Sequence, residues 1–275
     1  DEIAMKVLSE ELSSATGDDA TGKSTSNAKE VRNAILDVFE EVPQLVASAS
    51  LGQVYKATLR STDDDDADST TTNDSVPRTQ KQHVAIKVQR PDMLETVSLD
   101  LFLLVSYGKV VDFLCSFLTN QIPYHETFLN GFANGAFMEL NYVHEAENQT
   151  YFRNELHARF HNNNKPPDDQ KHNKYSILPF LRSLRNNNGR NTERVIVPRV
   201  YEQFTSRRVL VSEWIDGTPL ARAPKEQIRE LIPIGVELFL CQLLDIGRFH
   251  ADPHPGNLYV TTSKIDGVTP TLCLL

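Results

Sequence analysis

The chain has 275 residues, enough to bury a substantial core in one or two domains. Its apolar content of 40% and charged content of 24% are those of an ordinary soluble globular protein. The formal net charge of −9, from 28 basic and 37 acidic residues, argues against a nucleic-acid-binding surface.

Three polar tracts interrupt an otherwise patterned sequence. They cover residues 13–27, 61–82 and 162–191, and they are rich in Ser, Thr, Asp or Asn. Such compositions bury too little apolar surface to offset the ordering of the backbone, so we predict largely disordered insertions. Residues 17–24 satisfy the Walker A pattern, but polar residues stand where a buried strand should precede it. We therefore predict no P-loop there.

The segments between the tracts carry helix and strand patterns. In chain order we predict a helix over 28–40, strands over 54–59 and 84–89, helices over 91–118 and 131–156, strands over 195–200 and 208–214, and a long helix over 225–249. Pro233 suggests a local irregularity in the last helix. The closing run 271–275 is apolar and strand-like.

The most apolar stretch, residues 97–119, contains Asp100, Lys109 and Asp112. Three charges are too many for a membrane-spanning segment of about 20 residues, so we expect no transmembrane helix. We expect the helix around 101–118 to pack its apolar side chains against the rest of the fold, with a lipid-sensing surface as the alternative.

The most informative segment reads HADPHPGN, from His250 to Asn257. Asp252 and Asn257 stand five positions apart on a loop bounded by Pro and Gly. This is the spacing of the kinase catalytic loop, in which the Asp accepts the proton of the substrate hydroxyl and the Asn holds a metal ion. We expect His250 and His254 to brace the loop rather than to form a metal site with Asp252.

A second segment, Val84 to Lys87, reads VAIK and matches the kinase strand whose lysine pairs with nucleotide phosphates. Kinases place a Gly-rich loop before the first strand, because the backbone must approach phosphate oxygens closely. Here that segment has one glycine among small residues, and it predicts nucleotide binding by Ala47, Ser48, Ala49, Ser50, Gly52 and Val54. Taken alone, the segment also fits a simple turn into a strand.

Strands followed by a mainly helical part indicate an α+β fold with the two lobes of a protein kinase. We expect an N-terminal helix and a disordered tract over residues 1–38. Residues 39–214 should form the part like the N-terminal lobe, including two of the disordered insertions. Residues 215–275 should begin the helical C-terminal lobe and carry the catalytic loop.

Five ordered motifs together resemble the UbiB/ADCK atypical kinase family, most of all its plastid branch. They read ASASLGQVY, VAIKVQRP, MELNYVHEAEN, VPRVY with RRVLVSEWIDG, and HADPHPGN. The resemblance covers residues 39–275 apart from the insertions. It implies a protein-kinase-like fold, binding of ATP with Mg²⁺, and a role in the metabolism of prenylquinones or related isoprenoid lipids. An ATPase activity is the more cautious description of the chemistry.

The resemblance also implies roles for single residues. Lys87 should bind the phosphates and pair with Glu145, the acid in HEAEN. Asp252 should accept a proton or orient the nucleophile, and Asn257 should bind Mg²⁺. Ala251 stands where typical kinases have an Arg that clamps a phosphorylated activation loop, so we predict no such switch.

Two further positions belong to the same set. The family has an E-x-D element over the nucleotide site; this chain keeps Glu139 but has Asn141 in place of the Asp. An amide carries no charge and should contact a metal more weakly. Glu213 resembles the hinge between the lobes, where backbone groups around residues 212–214 would recognise adenine.

The family's K-x-G-Q and D-F-G elements are absent, so we expect a fragment truncated before the D-F-G segment. The resemblance implies a plastid location, with the mitochondrion as the alternative. It also implies isoprenoid lipids or quinone-biosynthesis proteins as partners, and peripheral membrane association. Two alternatives stay open: a nucleotide-binding pseudokinase that acts as a regulator, and a small-molecule phosphotransferase of the aminoglycoside or choline kinase kind.

Overall fold

The chain folds into two compact units, each with helices and a four-stranded sheet. The structure is a computed structural model that describes residues 2–15, 28–48, 51–60, 81–120, 122–160, 195–248, 254, 256–262 and 270–274. The first unit contains Asp1–Glu147 and Val200–Trp214, and the second contains Asn148–Arg199 and Ile215–Leu275. The expected α+β class is confirmed. Residues 61–80 of the insertion predicted at 61–82 lie outside the described residues, as do the insertion predicted at 162–191 and the Walker A pattern.

The elements of the described residues are as follows. The helices are α1 (Glu2–Ala15), α2 (Ala28–Val38), α3 (Met93–Leu118), α4 (His125–Glu139), α5 (Tyr142–Phe160) and α6 (Lys225–Cys241). The strands are β1 (Gln44–Ser48), β2 (Gly52–Thr58), β3 (His83–Gln89), β4 (Val195–Ile196), β5 (Val209–Glu213), β6 (Thr218–Pro219), β7 (Leu258–Thr262) and β8 (Pro270–Leu274). The strands predicted over 54–59, 84–89 and 208–214 form with bounds shifted by at most two residues.

The sheet of the first unit is antiparallel in the order β1-β2-β3-β5. Along β3, Val84, Ile86 and Val88 are buried on one face, because successive side chains of a strand point to opposite sides. Lys87 therefore lies on the other face. The strand register places Val54 and Leu210 beside Lys87 on that face.

Helices α1 and α2 cover the apolar face of this sheet. Leu8 of α1 and Ile35 of α2 are fully buried in one cluster with the apolar side chains of β2, β3 and β5. A disordered tract was predicted to begin at residue 13, and this bound is wrong because α1 continues to Ala15. The hydroxyl groups of Ser13 and Ser14 donate to the carbonyl oxygens four residues earlier, so both serines stay within the helix.

The prediction of one helix over 131–156 is wrong, because α4 and α5 are separate helices that are joined by Leu140 and Asn141. The Gln89 carboxamide donates to the Leu140 carbonyl oxygen at 2.9 Å and takes an acceptor that a continuous helix would use. The Asn141 Oδ1 atom accepts from the Val143 N–H at 3.2 Å. Asn141 thus acts as the N-cap of α5.

Burial of α3 against the rest of the fold, as expected from the sequence, is also wrong. Its buried residues are Leu101 and Gly108, which lie on the side next to α4. Its exposed large apolar residues are Leu94, Leu99, Phe102, Leu103, Leu104, Tyr107, Val110, Phe113, Leu114, Phe117 and Leu118. By length and composition alone, α3 also meets the requirement for a membrane-spanning helix, which the three charges in residues 97–119 were expected to exclude.

Polar contacts join α3 to the start of α4. The Asp112 carboxylate accepts from the backbone N–H groups of His125 and Glu126 and from the His125 ring. These donors, led by the Glu126 N–H, lower the pKa of Asp112. Lys109 lies 3.5 Å from Glu126. The charged groups at this end of the helix pair are thus satisfied by each other.

The second unit is built on a sheet in the order β4-β8-β7-β6. Strand β8 pairs in parallel with β4 and antiparallel with β7, and it contains residues 271–274 of the apolar run predicted at 271–275. Leu231, Ile234 and Leu238 of α6 are buried against this sheet, together with Phe152 and Leu156 from the later part of α5. Strand β7 was not predicted, and the strand predicted over 195–200 forms only as β4.

The long helix predicted over 225–249 ends earlier, at Cys241. The helix includes Pro233, where an irregularity was expected. A π-helical turn at Gln242–Ile246 follows its last residue. Gly247 closes this turn with a φ of 71°, a left-handed conformation that favours glycine.

Gly52 begins β2 at a place where the backbone is crowded. A Cβ atom added there would lie 2.7 Å from the Tyr142 hydroxyl and 2.7 Å from the Val88 carbonyl oxygen, and backbone cannot move aside cheaply. We expect Gly52→Ala to lower the free energy of unfolding by about 1–3 kcal/mol. Gly131 in α4 has open space around it, so Gly131→Ala should raise stability by up to about 1 kcal/mol. Urea unfolding measures both, and a Gly52→Ala variant as stable as the wild type would contradict the expectation.

Candidate active site

A lysine–glutamate pair lies on the face of the first unit's sheet that is opposite α1 and α2. Lys87 projects from the middle of β3, and Glu145 from the first turns of α5. The Lys87 ammonium donates to both carboxylate oxygens of Glu145 at 2.7 Å. The side chains are 32% and 39% exposed, so a ligand can reach the pair from solvent.

Tyr142 supplies a second contact to the same ammonium. Its ring centroid is 4.7 Å from Lys87 Nζ, a cation–π distance. Tyr142 and Glu145 are three residues apart on α5, so they share one face of the helix. Tyr142 is 1% exposed, and burial, followed by the nearby Glu145 charge, raises the pKa of its hydroxyl. That buried hydroxyl has no hydrogen-bond partner in the part of the chain that the structure describes.

The predicted phosphate loop is described in part. Ala47 and Ser48 end β1 and are exposed, whereas Gly52 and Val54 belong to β2. Ala49 and Ser50 lie outside the described residues. The register sets Val54 opposite Lys87, so the end of the loop lies next to the lysine.

Arg90 braces this loop, a role that sequence analysis missed. Its guanidinium donates to the Ser48 hydroxyl at 2.9 Å, and its backbone N–H donates to the Leu51 carbonyl oxygen at 3.0 Å. The one sequence signal for it was its place directly after β3, in VQRP.

Of the E-x-D positions, neither contacts the Lys87 ammonium, whose described contacts are with Glu145 and Tyr142. Glu139 is the exposed last residue of α4. Asn141 caps α5, and its carboxamide oxygen is engaged with the backbone. An aspartate could make the same cap, so the exchange of Asp for Asn leaves this part of the structure intact.

Glu213, the predicted hinge residue, ends β5 and lies opposite Val84. The backbone N–H of the next residue, Trp214, donates to the His83 carbonyl oxygen, and its ring lies 4.6 Å from Lys56 Nζ. These contacts fix the end of β5 in the first unit.

The residues predicted for the catalytic loop belong to the second unit. Asp252, His250 and Ala251 lie outside the described residues. Asn257 is half-buried just before β7, and its N–H donates to the His254 carbonyl oxygen at 2.8 Å. The His254 ring accepts from the Gly256 N–H at 3.0 Å, which agrees with the expected bracing of the loop by this histidine.

The donor set in the first unit fits a phosphate ligand. An ammonium carries three N–H donors, and the contacts with Glu145 use two of them. Among the described residues, no three His, Cys, Asp or Glu side chains cluster as a metal site. Mg²⁺ with a nucleotide does not need such a cluster, because phosphates and waters supply most of its ligands. The Asn257 side-chain oxygen is of the hard type that Mg²⁺ prefers.

The chain is similar to proteins of one known family. Residues 76–163 and 182–275 match the model of the ABC1 atypical kinase-like domain. The chain is 33% identical to Protein ACTIVITY OF BC1 COMPLEX KINASE 3, chloroplastic, of Arabidopsis thaliana, over 82% of this chain and 25% of the relative. It is 31% identical to the chloroplastic KINASE 1 of the same series and organism, over 84% and 27%.

A bacterial relative is more distant. The chain is 28% identical to a Probable protein kinase UbiB of Shewanella sp. (strain ANA-3), over 82% of this chain and 32% of the relative. The chain thus spans about a quarter to a third of the length of these relatives.

Proposed function

Because the chain belongs to the ABC1 atypical kinase-like family, we propose that it is part of an ATP- and Mg²⁺-dependent atypical kinase or ATPase. The family predicted from the motifs is confirmed, with UbiB and chloroplastic relatives. The observation that carries the proposal is the two-pronged contact of Lys87 with Glu145 beside the start of β2.

Each of the proposed functional residues has a defined task. Glu145 orients the Lys87 ammonium without removing its charge, and the third N–H of the ammonium binds a phosphate oxygen. Asp252 accepts the proton of the attacking hydroxyl or water, and Asn257 binds Mg²⁺. The ion, when bound, neutralises charge on the phosphates. As part of this proposal, residues 39–214 and 215–275 contribute to the two lobes of a kinase-like fold.

Biological context is proposed from the relatives. The Arabidopsis relatives are named chloroplastic, and the bacterial one is named UbiB. We propose a chloroplast location and a role in prenylquinone or isoprenoid-lipid metabolism. The mitochondrial alternative has no support from these relatives.

Equilibrium binding tests the proposal. The full-length protein is titrated with a fluorescent ATP analogue in the presence of Mg²⁺, and the Lys87→Met variant is the decisive comparison. Saturable binding that depends on Lys87 supports the proposal, and no binding by the wild type overturns it.

A specific observation also supports peripheral membrane association, through the exposed side chains of α3, the connection that contains Ile122 and the start of α4. We call this surface the apolar hairpin. At 100° per residue, the exposed apolar side chains of α3 from Leu99 to Leu118 cover an arc of about 200°, more than one packed helix could cover. No Asp, Glu, Lys or Arg occurs between Asp112 and Glu126. The Asp112 carboxylate accepts from the Glu126 backbone N–H, and the Glu126 carboxylate pairs with Lys109.

An apolar surface of this width, uncharged over residues 113–125, suits the hydrocarbon layer of a bilayer, which surrounds an inserted element and carries no charge. The most exposed side chains lie nearest the connection between the helices, with Phe117 82% and Ile122 86% exposed. We propose that this end of the apolar hairpin enters the membrane surface.

We expect the triple variant Phe113→Ser, Phe117→Ser and Ile122→Ser to lower binding to phosphatidylcholine vesicles at least tenfold. Each Å² of apolar surface that enters the bilayer contributes about 25 cal/mol to binding, and the substitutions remove that surface. A flotation assay of the full-length protein measures the bound fraction. The control is Ile232→Ser with Val236→Ser, which removes exposed apolar side chains from α6. Equal loss in both variants, or no loss in the triple variant, would count against the hairpin.

A further inference from the structure

We propose that Tyr142 is a positioning residue that fixes the Lys87 ammonium for phosphate binding. This inference rests on the proposed function, because it deepens the account of the same site. The ring of Tyr142 and the carboxylate of Glu145 contact the ammonium at 4.7 Å and 2.7 Å, and both belong to one face of α5. A single helical segment therefore determines where the lysine charge lies.

The aromatic ring is the more rigid of the two contacts. Glu145 is 39% exposed, and ion pairs between partly exposed side chains compete with water and hold their geometry weakly. Tyr142 is 1% exposed and packs in one cluster with Ala146, Val200 and Leu210. Leu210 is also the β5 neighbour of Lys87 in the sheet. The buried ring thus ties the lysine to a fixed point of the sheet.

The tyrosine hydroxyl does not explain why an aromatic residue stands here. It is buried without a hydrogen-bond partner among the described residues, which costs stability, and it approaches Gly52 so closely that no Cβ fits. A leucine would fill the apolar cluster without that cost. The electron-rich face of the ring, directed at an ammonium, is the property that leucine lacks.

Three variants of the full-length protein separate these roles in titrations with Mg²⁺ and a fluorescent ATP analogue. Tyr142→Leu should bind about fivefold more weakly, equivalent to about 1 kcal/mol. Tyr142→Phe keeps the ring and should stay within about twofold of the wild type. Tyr55→Leu is the matched control, because Tyr55 is an equally buried ring of the same sheet whose hydroxyl bonds to Gln53, on the face opposite Lys87.

The effect must also depend on the lysine charge. In a Lys87→Met background, Tyr142→Leu and Tyr142→Phe should bind the analogue equally. If Tyr142→Leu binds as the wild type does, or if Phe and Leu weaken binding alike, the positioning role is overturned.

A second measurement needs no nucleotide. A double-mutant cycle of urea unfolding, using Tyr142→Leu and Lys87→Met, should show coupling that disappears when Phe replaces Leu. Coupling in a protein that binds no nucleotide would overturn the proposed function but support the contact. Nucleotide binding without coupling would overturn the contact alone.

Discussion

Replacing Lys87 with methionine is expected to weaken the binding of Mg²⁺ and ATP by the full-length protein about 10- to 100-fold. A hydrogen bond between charged groups contributes about 1.5–3 kcal/mol, and methionine keeps the length of the side chain while removing every donor. The structure adds a second reason: the Glu145 carboxylate, held 2.7 Å from the ammonium, would then face the phosphates without a cation between them. Titration with a fluorescent ATP analogue gives the two dissociation constants.

Lys81 provides the matched control for this experiment. It also pairs with a glutamate, Glu40, at 3.0 Å, and it lies in the same unit, but its side chain is 68% exposed and away from Glu145. Lys81→Met should leave the dissociation constant within about twofold of the wild type. Equal binding by Lys87→Met and the wild type, with both proteins folded by circular dichroism, would remove the basis of the proposed function.

The sheet of the first unit was predictable from local pattern. In β3 the alternation of Val84, Ile86 and Val88 with less apolar residues is the period of a strand with one buried face. The break between α4 and α5 was not predictable in the same way. It depends on the hydrogen bond from Gln89 to Leu140, and the two residues are 51 positions apart. Local propensity does not report a contact of that range.

For the apolar hairpin, the local pattern was clear but the burial predicted from it was wrong. An apolar helix is expected to be buried, and nothing in the sequence of α3 shows that only the side next to α4 is covered. Exposure is a property of the tertiary structure. The absence of charge between Asp112 and Glu126 was visible in the sequence, but it gained meaning only once the side chains of this region proved to be exposed.

Within the site, motif spacing identified Lys87 and Glu145, and the structure brings these two side chains together. Their role in binding a nucleotide stays a prediction. Spacing did not identify Tyr142, although its position three residues before Glu145 puts both on one helix face. The contribution of an aromatic ring to a cation depends on the distance to the ammonium, and only the fold supplies that distance.

Asn141 bears on the choice between a kinase and a pseudokinase. The absence of an aspartate there favoured a regulator without catalysis, because a metal contact would be weakened. In the structure the side chain caps α5, a task that asparagine performs as well as aspartate. The residue thus has a structural task whichever function holds, and Asp252 is the position that distinguishes the two.

Asp252→Asn should lower ATP turnover by the full-length protein about 100- to 10,000-fold, the usual contribution of a positioned general base. Asparagine cannot accept a proton, which explains the loss of turnover. It has the same shape as aspartate, so the dissociation constant for the ATP analogue should stay within about threefold of the wild type. Phosphate release measures turnover, and Asp216→Asn, an exposed carboxylate of the same unit, is the control. A regulator that only binds nucleotide predicts a different result: Asp252→Asn would retain both nucleotide binding and the full biological role of the wild type. Catalysis requires that binding survive this substitution while the biological role is lost, and that combination separates the two functions in one variant.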